Sequence, residues 1–341
     1  MRKGILALFL VLMIVSVVFA GGGGEKDAGS GSEFSKKYTW SLATTYATGS
    51  PMVNAYHHFA EKLKAYSNGA ITLNVFADST LMGEDDSFLA VKAGELEFAG
   101  FGPSGFYLYS QDYGFMLAPF FIPDFEAYQR MYNSPVVERA KKIWREQYNT
   151  RDVAGMGYRG FRNMSSDKAI RNLGDLRGVK LRLNTNPLWN NSWQTLGAVT
   201  VPIALGELYT SMQNGAVQAS EGPWEQMKLL NLEEVQKYVI LTKHIIETAG
   251  MWMDEKLYQS LPANYKAVVD RAGKDAIDYL NKEAREKEDG FKQALIRGGC
   301  EYLEPNLSEF YKAAEGLWNN YFRTTWTAST LEEMTKIKDG R

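Results

Sequence analysis

The stretch from Tyr38 to Phe101 constrains the fold most, because its apolar pattern changes period in a fixed order. Tyr38–Thr44 (YTWSLAT) alternates as a strand does. Ser50 and Pro51 then supply an N-cap and a proline at the first helical position. The helix they open runs to about Tyr66, with Val53, Tyr56, Phe59, Ala60 and Leu63 on one side, and Asn68-Gly69 ends it. Ile71, Leu73 and Val75 alternate with Thr72 and Asn74, the pattern of a half-buried strand. Gly83-Glu84-Asp85-Asp86 opens a second helix, where acids suit the positive end of the helix dipole. Gly94 closes it, and Leu96–Phe101 follows as a buried strand. The order strand, helix, strand, helix, strand predicts an α/β lobe with a largely parallel sheet.

The segment before this block has a different character. Met1–Ala20 places Arg2 and Lys3 ahead of an uncharged apolar run, and Val18-Phe19-Ala20 precedes Gly21 as a small-residue cleavage site. Residues 1–20 are therefore expected to be a cleaved signal peptide, with an uncleaved anchor as the alternative. The run is short for a membrane span, which needs about 20 apolar residues. No cysteine follows it to carry a lipid. Residues 21–37, rich in Gly and Ser at their start, read as a flexible tether.

The chain has 38 basic and 40 acidic side chains, and loss of Arg2 and Lys3 leaves 36 against 40, a balance of −4. That balance argues against a nucleic-acid surface but says nothing against a local cationic pocket. The single cysteine, Cys300, excludes an intramolecular disulfide, and its setting after Gly298-Gly299 favours a buried thiol over a nucleophile.

Further along, Phe101–Phe121 is dense in aromatics, Gly and Pro, and is expected to be mostly core with some pocket wall. Ser134–Tyr148 reads as a helix and Asp152–Tyr158 as a strand. In Val179–Leu183 the apolar residues face one way and Lys180 and Arg182 the other, with a helix starting near Pro187. A guanidinium held on such a strand suits a carboxylate or phosphate, although spacing alone favours a solvated cationic face. After Trp224 come a short helix and two strands, Lys237–Leu241 and Ile245–Met253. A long amphipathic helix spans Pro262–Ala294, and another helix, rich in aromatics, spans Leu307–Tyr321.

Catalytic and metal motifs are not found. There is no G-x-S-x-G, no Walker lysine loop and no G-x-G-x-x-G after a strand. His57 and His58 are helix neighbours pointing in different directions, where a zinc pair needs i, i+4 spacing. No metal, cofactor or enzymatic role is expected.

Several motifs in series carry a resemblance. They are Gly69-Ala70-Ile71, Leu81-Met82-Gly83-Glu84, Pro119-Phe120-Phe121, Gly160-Phe161-Arg162-Asn163, Asp175 to Arg182 (DLRGVKLR), Leu196 to Pro202 (LGAVTVP), Gly206-Glu207-Leu208-Tyr209 and Gly215 to Pro223 (GAVQASEGP). Together, over roughly residues 38–330, the sequence resembles the DctP-type solute-binding proteins of TRAP transporters, the extracytoplasmic receptors of ion-driven importers.

The resemblance implies a two-lobe α/β periplasmic binding protein fold, type II-like, with hinge segments crossing between lobes and a long helix toward the C-terminus. Residues 38–158 with 248–285 would form one lobe and 159–247 with 286–341 the other. It implies a carboxylate ligand in the cleft, a membrane permease as partner and no catalysis. Arg182 matches the arginine that pairs with the ligand carboxylate. Arg162 matches a second arginine, a ligand contact or a hinge-side structural pair.

Thr45, Asp85 and Gly102 match contact positions on the first lobe. Leu205 matches an aromatic contact, and Gly222 stands where the family often has an asparagine. Trp224 and Trp189 flank the same region. With Gly102 and Gly222 lacking polar side chains and Trp189, Trp193 and Trp224 nearby, the expected ligand is a monocarboxylate with an apolar or aromatic body, rather than a dicarboxylate or sialic-acid-like sugar. A receptor of an ATP-driven importer and an enzyme acting on an organic acid are the alternatives. Monomer and dimer stay equally open.

Overall fold

The computed structural model describes residues 34–341. The signal peptide and most of the tether expected at the N-terminus lie outside the described residues. No described helix is long and apolar enough to cross a membrane.

The chain begins with β1 (Tyr38–Ala43), α1 (Pro51–Tyr66), β2 (Ile71–Phe76), α2 (Glu84–Ala93) and β3 (Phe98–Phe101). Local chemistry sets their ends. Ser50 accepts a hydrogen bond from the Val53 N–H at the start of α1, and Gly94 closes α2 in the left-handed conformation at φ 78°. Strand β1 pairs in parallel with both β2 and β3, as the alternation predicts. A short helix α3 (Gly105–Leu108) and a 3-10 turn lead to α4 (Phe125–Tyr132) and α5 (Pro135–Tyr148).

Strand β4 (Thr150–Ser166) is 17 residues long and continues without interruption from the expected strand into the Arg162 motif. Then come β5 (Lys180–Leu183), α6 (Pro187–Thr195), β6 (Val199–Pro202), α7 (Leu208–Gln213), β7 (Ala219–Gly222) and α8 (Trp224–Leu229). Strand β8 (Tyr238–Asp254), also 17 residues, replaces the two separate strands expected there. Its ladder with β4 slips between Arg162 and Met164, where residues 241–244 loop out and Lys243 takes φ 44°. The sequence break near residue 242 thus marks an irregularity inside one strand. The chain closes with α9 (Glu255–Ser260), α10 (Ala263–Arg297), β9 (Glu301–Leu303), α11 (Ser308–Thr324) and α12 (Leu331–Asp339).

All nine described strands join one sheet, in the order β2-β1-β3-β8-β4-β7-β5-β6, with β9 added against β8. Strands β4 and β8 run antiparallel through its middle. The C-terminal end of β8 (Gly250–Met253) pairs with β3, and its N-terminal end (Tyr238–Ile240) pairs with β9. The C-terminal end of β4 (Asn163–Ser166) pairs with β7. The two long strands therefore carry one sheet half at each end. Helix α10, at about 1.5 Å per residue roughly 50 Å long, packs on α1 and β4 and reaches α8. Helix α12 packs on α4, so the chain's last segment returns to the first half of the sheet. It is fastened there by Arg130, which donates to the Lys338 carbonyl.

The apolar side chains gather into a large core and a smaller one. The smaller holds Leu208, Met212, Val217, Trp224, Met227, Leu295 and Cys300. Cys300 is buried, as its setting predicts, and donates to the Gln236 carbonyl at 3.3 Å.

Candidate functional site

A cavity of about 410 Å³ opens between the two halves of the sheet. From the first half come Thr45, Tyr46, Glu84, Asp85, Gly102 and Ser104, and from the second Arg182, Asn184, Trp189, Leu205 and Gln226. Arg159, Arg162 and Glu247 line it from the crossing strands. Thr185 donates to Asp85 at 3.1 Å, a hydrogen bond that spans the cleft from one wall to the other.

The three arginines of the cavity are held in different ways. Arg162 is fully committed: its guanidinium meets the Glu221 carboxylate side-on, with Nη2 to Oε1 at 2.6 Å, and also donates to Glu247. The ring of Trp189 stacks over it, 4.6 Å from guanidinium carbon to ring centre. Burial would lower its pKa, but Glu221 and Glu247 outweigh that and raise it. Arg159 donates to Glu225 at 3.3 Å and to Gln226 at 3.2 Å, over the face of Tyr46. Burial opposes its charge too, and Glu225 again more than compensates.

Arg182 differs. It is 3 % exposed, its Nε donates to the Ile203 carbonyl at 2.9 Å, and its two terminal nitrogens have no hydrogen-bond partner among the described residues. Burial without a counter-ion pulls its pKa down to about 10, still charged at neutral pH.

The backbone explains why two arginines three residues apart share one cavity. On a regular strand, positions i and i+3 face opposite sides. The β4–β8 register slips by one residue between Tyr158 and Gly160, and Gly160 takes φ 114°, which only glycine adopts easily. This bulge turns Arg159 onto the same side as Arg162. A strict alternation pattern hides Arg159, and the sequence reading missed it.

The other expected residues divide clearly. Thr45, Asp85, Gly102, Trp189 and Leu205 line the cavity together with Arg182 and Arg162. Trp224 does not: it is buried in the smaller core, because α8 turns that side chain away from the cleft. Trp193, fully buried, packs edge-on against His244 instead. Gly222 does not line the cavity either. A side chain there would collide with Gln226, whose Nε2 lies 2.5 Å from where a Cβ would stand. The space an asparagine would take is filled by an amide reaching back from one helical turn later.

Gly102 is likewise faced by an acid: a Cβ would lie 3.0 Å from Glu247 Oε1. Of the apolar wall expected from Gly102, Gly222 and the tryptophans, Trp189 lines the cavity together with Leu117, Ile203 and Leu205, while Trp193 and Trp224 do not. Polar groups come from Gln226, one helical turn after Gly222, and from Glu247, a neighbour of Gly102 in space and not in sequence. Glu247 had one sequence signal, a charge inside the apolar strand Ile245–Met253.

Behind the cavity, His244 extends the ion-pair network. Its Nε2 lies 3.0 Å from Glu221, and its Nδ1 lies 2.8 Å from the Thr242 hydroxyl. A carboxylate only accepts, so Nε2 carries the proton and Nδ1 accepts from Thr242. Burial lowers the His244 pKa despite the attraction of Glu221, so the ring is neutral. The unfolded chain then binds the extra proton first, and stability falls as pH drops through the unfolded value near 6.5. Burial also pushes against charge on Glu221, but Arg162 and His244 hold that carboxyl well below its usual range. Its contribution is present above the unfolded pKa near 4.5 and is lost below it. Urea midpoints should decline from pH 7 to 5, and His244→Gln should flatten that decline. An unchanged slope in the variant would remove His244 from the account.

Among the described residues no group of His, Cys, Asp or Glu is placed to hold a metal ion. A mixed α/β fold with two crossing strands and an arginine-bearing cleft between sheet halves defines a binding receptor. The chain belongs to the DctP family, bacterial extracellular solute-binding protein family 7, whose model matches residues 42–325. It is thus a solute-binding receptor of the TRAP type, from a family of extracytoplasmic receptors and not of enzymes.

Among its relatives is the C4-dicarboxylate-binding periplasmic protein DctP of Rhodobacter capsulatus, 25 % identical over 71 % of this chain and 72 % of that one. Another is the sialic acid-binding periplasmic protein SiaP of Vibrio cholerae, 24 % identical over 83 % and 88 %. The fold is similar to a TRAP periplasmic solute binding protein from Xanthobacter autotrophicus with bound β-D-galacturonate. The two share a TM-score of 0.81 and 21 % identity, over 88 % of this chain and 99 % of that one. A Roseobacter denitrificans protein with bound L-galactonate gives 0.78 at 24 % identity, over 89 % and 98 %.

Proposed function

We propose that this receptor captures an organic acid by its carboxylate on Arg182, closes over it, and presents it to the membrane permease of a TRAP-type secondary importer. One observation carries this reading: of the three cavity arginines, Arg182 alone has no acidic partner, and its free nitrogens belong to a residue lining the cleft. A planar fork of donors matches a carboxylate in two-pronged geometry. The acids bound by the relatives agree in chemistry. Residues 38–158 with 248–285, and 159–247 with 286–341 as expected except for α12, which packs on α4 of the first lobe, would move as lobes. The bulged middles of β4 and β8 would serve as the hinge, and the Asp85–Thr185 hydrogen bond would help hold the closed form. Export would follow from the segment 1–20.

The test is a thermal-shift series comparing organic acids with their own primary amides at equal concentration. A ligand at 100 times its dissociation constant stabilises by about 2.7 kcal/mol. At least one acid should raise the melting temperature while its amide does not. Equal shifts from an acid and its amide would refute carboxylate capture.

A further inference from the structure

The cavity carries more acid than a simple carboxylate ligand needs, with Glu84 on the first half of the sheet and Glu247 on the crossing strand β8. Glu84 lines the cavity and accepts from Ser104 at 2.6 Å, which leaves Glu84 Oε2 without a hydrogen-bond partner among the described residues. Glu247 is 4 % exposed, gives Oε2 to Arg162, and has no partner for Oε1. That oxygen lies beside Gly102, where the missing side chain leaves room. Arg182 thus presents donors without acceptors, and Glu84 and Glu247 present acceptors without donors.

The charge balance points the same way. Setting aside Asp85 and Asp86, which are exposed at the mouth, the cavity and the residues directly behind it hold four carboxylates, Glu84, Glu221, Glu225 and Glu247. Against them stand three guanidiniums, Arg159, Arg162 and Arg182. No lysine lines the cavity. With all four ionised the balance is −1, and a bound monoanion would make it −2 in a cleft that closure shields from water; burial already pushes the Glu84 and Glu225 carboxyls up, toward their neutral forms. A ligand with its own positive charge leaves the balance at −1 and gives Glu84 and Glu247 a donor. A hydroxyl would supply the hydrogen bond but not the charge, and charge-assisted bonds to carboxylates are the stronger kind.

We infer that the ligand is a zwitterion, an amino acid or related amine-bearing acid, with its carboxylate on Arg182 and its cationic nitrogen against Glu84 and Glu247. This rests on the carboxylate capture proposed above. It adds a cationic group to the expected monocarboxylate and leaves the apolar body open to Trp189, Leu117 and Leu205.

Matched pairs decide it. The common L-amino acids, β-alanine and 4-aminobutyrate are each compared by calorimetry with the hydroxy acid of the same skeleton. At least one amino acid should bind about tenfold or more tightly than its hydroxy counterpart. Glu84→Gln, checked for folding by its melting curve, should erase that preference, weakening the amino acid about tenfold and the hydroxy acid less than about threefold. If Glu84→Gln does not fold, Glu84→Asp, which keeps the charge but retracts it, should reduce the preference instead. Hydroxy acids binding as well as or better than every amino acid would overturn the zwitterion and leave carboxylate capture standing. A panel in which no amine-bearing member binds would likewise overturn it. Amino acids binding equally to wild type and Arg182→Ala would overturn the carboxylate reading itself.

Discussion

Arg182→Ala is expected to weaken ligand binding by about tenfold to a hundredfold while leaving the melting temperature of the empty protein nearly unchanged. Both halves follow from how Arg182 is held. Its Nε is tied to the Ile203 carbonyl, which fixes the fork and leaves two donors for a ligand. Hydrogen bonds to charged groups are worth about 1.5–3 kcal/mol, which sets the range of lost affinity. Stability should hold because the arginine has no acidic partner to abandon, and its removal relieves the burial that already lowers its pKa. Arg182→Lys should also bind poorly, since one ammonium cannot hold Ile203 and offer two parallel donors. Calorimetry giving wild-type affinity for either variant would remove Arg182 as the anchor.

Arg162→Met is expected to do the opposite: to destabilise the fold by about 3–5 kcal/mol, whatever the ligand. The arginine sits between Glu221 and Glu247, which are 1 % and 4 % exposed, and Glu221 also accepts a hydrogen bond from His244 Nε2. Taking the guanidinium away leaves two buried carboxylates facing each other with no cation between them. The double change Glu221→Gln with Arg162→Met should recover part of the loss, because it removes one of the stranded charges. Chemical denaturation measures both. A single variant as stable as wild type would show that the network contributes little. Arg162 had two readings in the sequence, ligand contact or structural pair, and its contacts favour the second.

The first third of the chain was legible from sequence because each of its signals is local. An N-cap at Ser50, a glycine at Gly94 and period-two alternation in β1 and β2 act within a few residues, and neighbouring side chains suffice to express them. Arg182 was legible by a different route. The strand pattern alone suggested a solvated face, and only the series of motifs around it marked the residue as an anchor. The structure buries it in the cleft wall.

Tertiary structure decided what fills the rest of the cavity. Arg159 enters only because a one-residue bulge at Gly160 breaks the alternation that would send it elsewhere. Gln226 occupies the room left by Gly222, one helical turn before it, and Glu247 faces Gly102, a contact 145 residues apart that no local pattern encodes. Trp224, close to the motif in sequence, is carried into the core by the turn of α8. Sequence by itself determined most of the elements, the family and the arginine proposed as anchor, since these depend on short-range periodicity and ordered motifs. The chemical character of the opposite wall depends on which distant side chains a twisted, bulged sheet brings into the same space, and only the folded chain decides that.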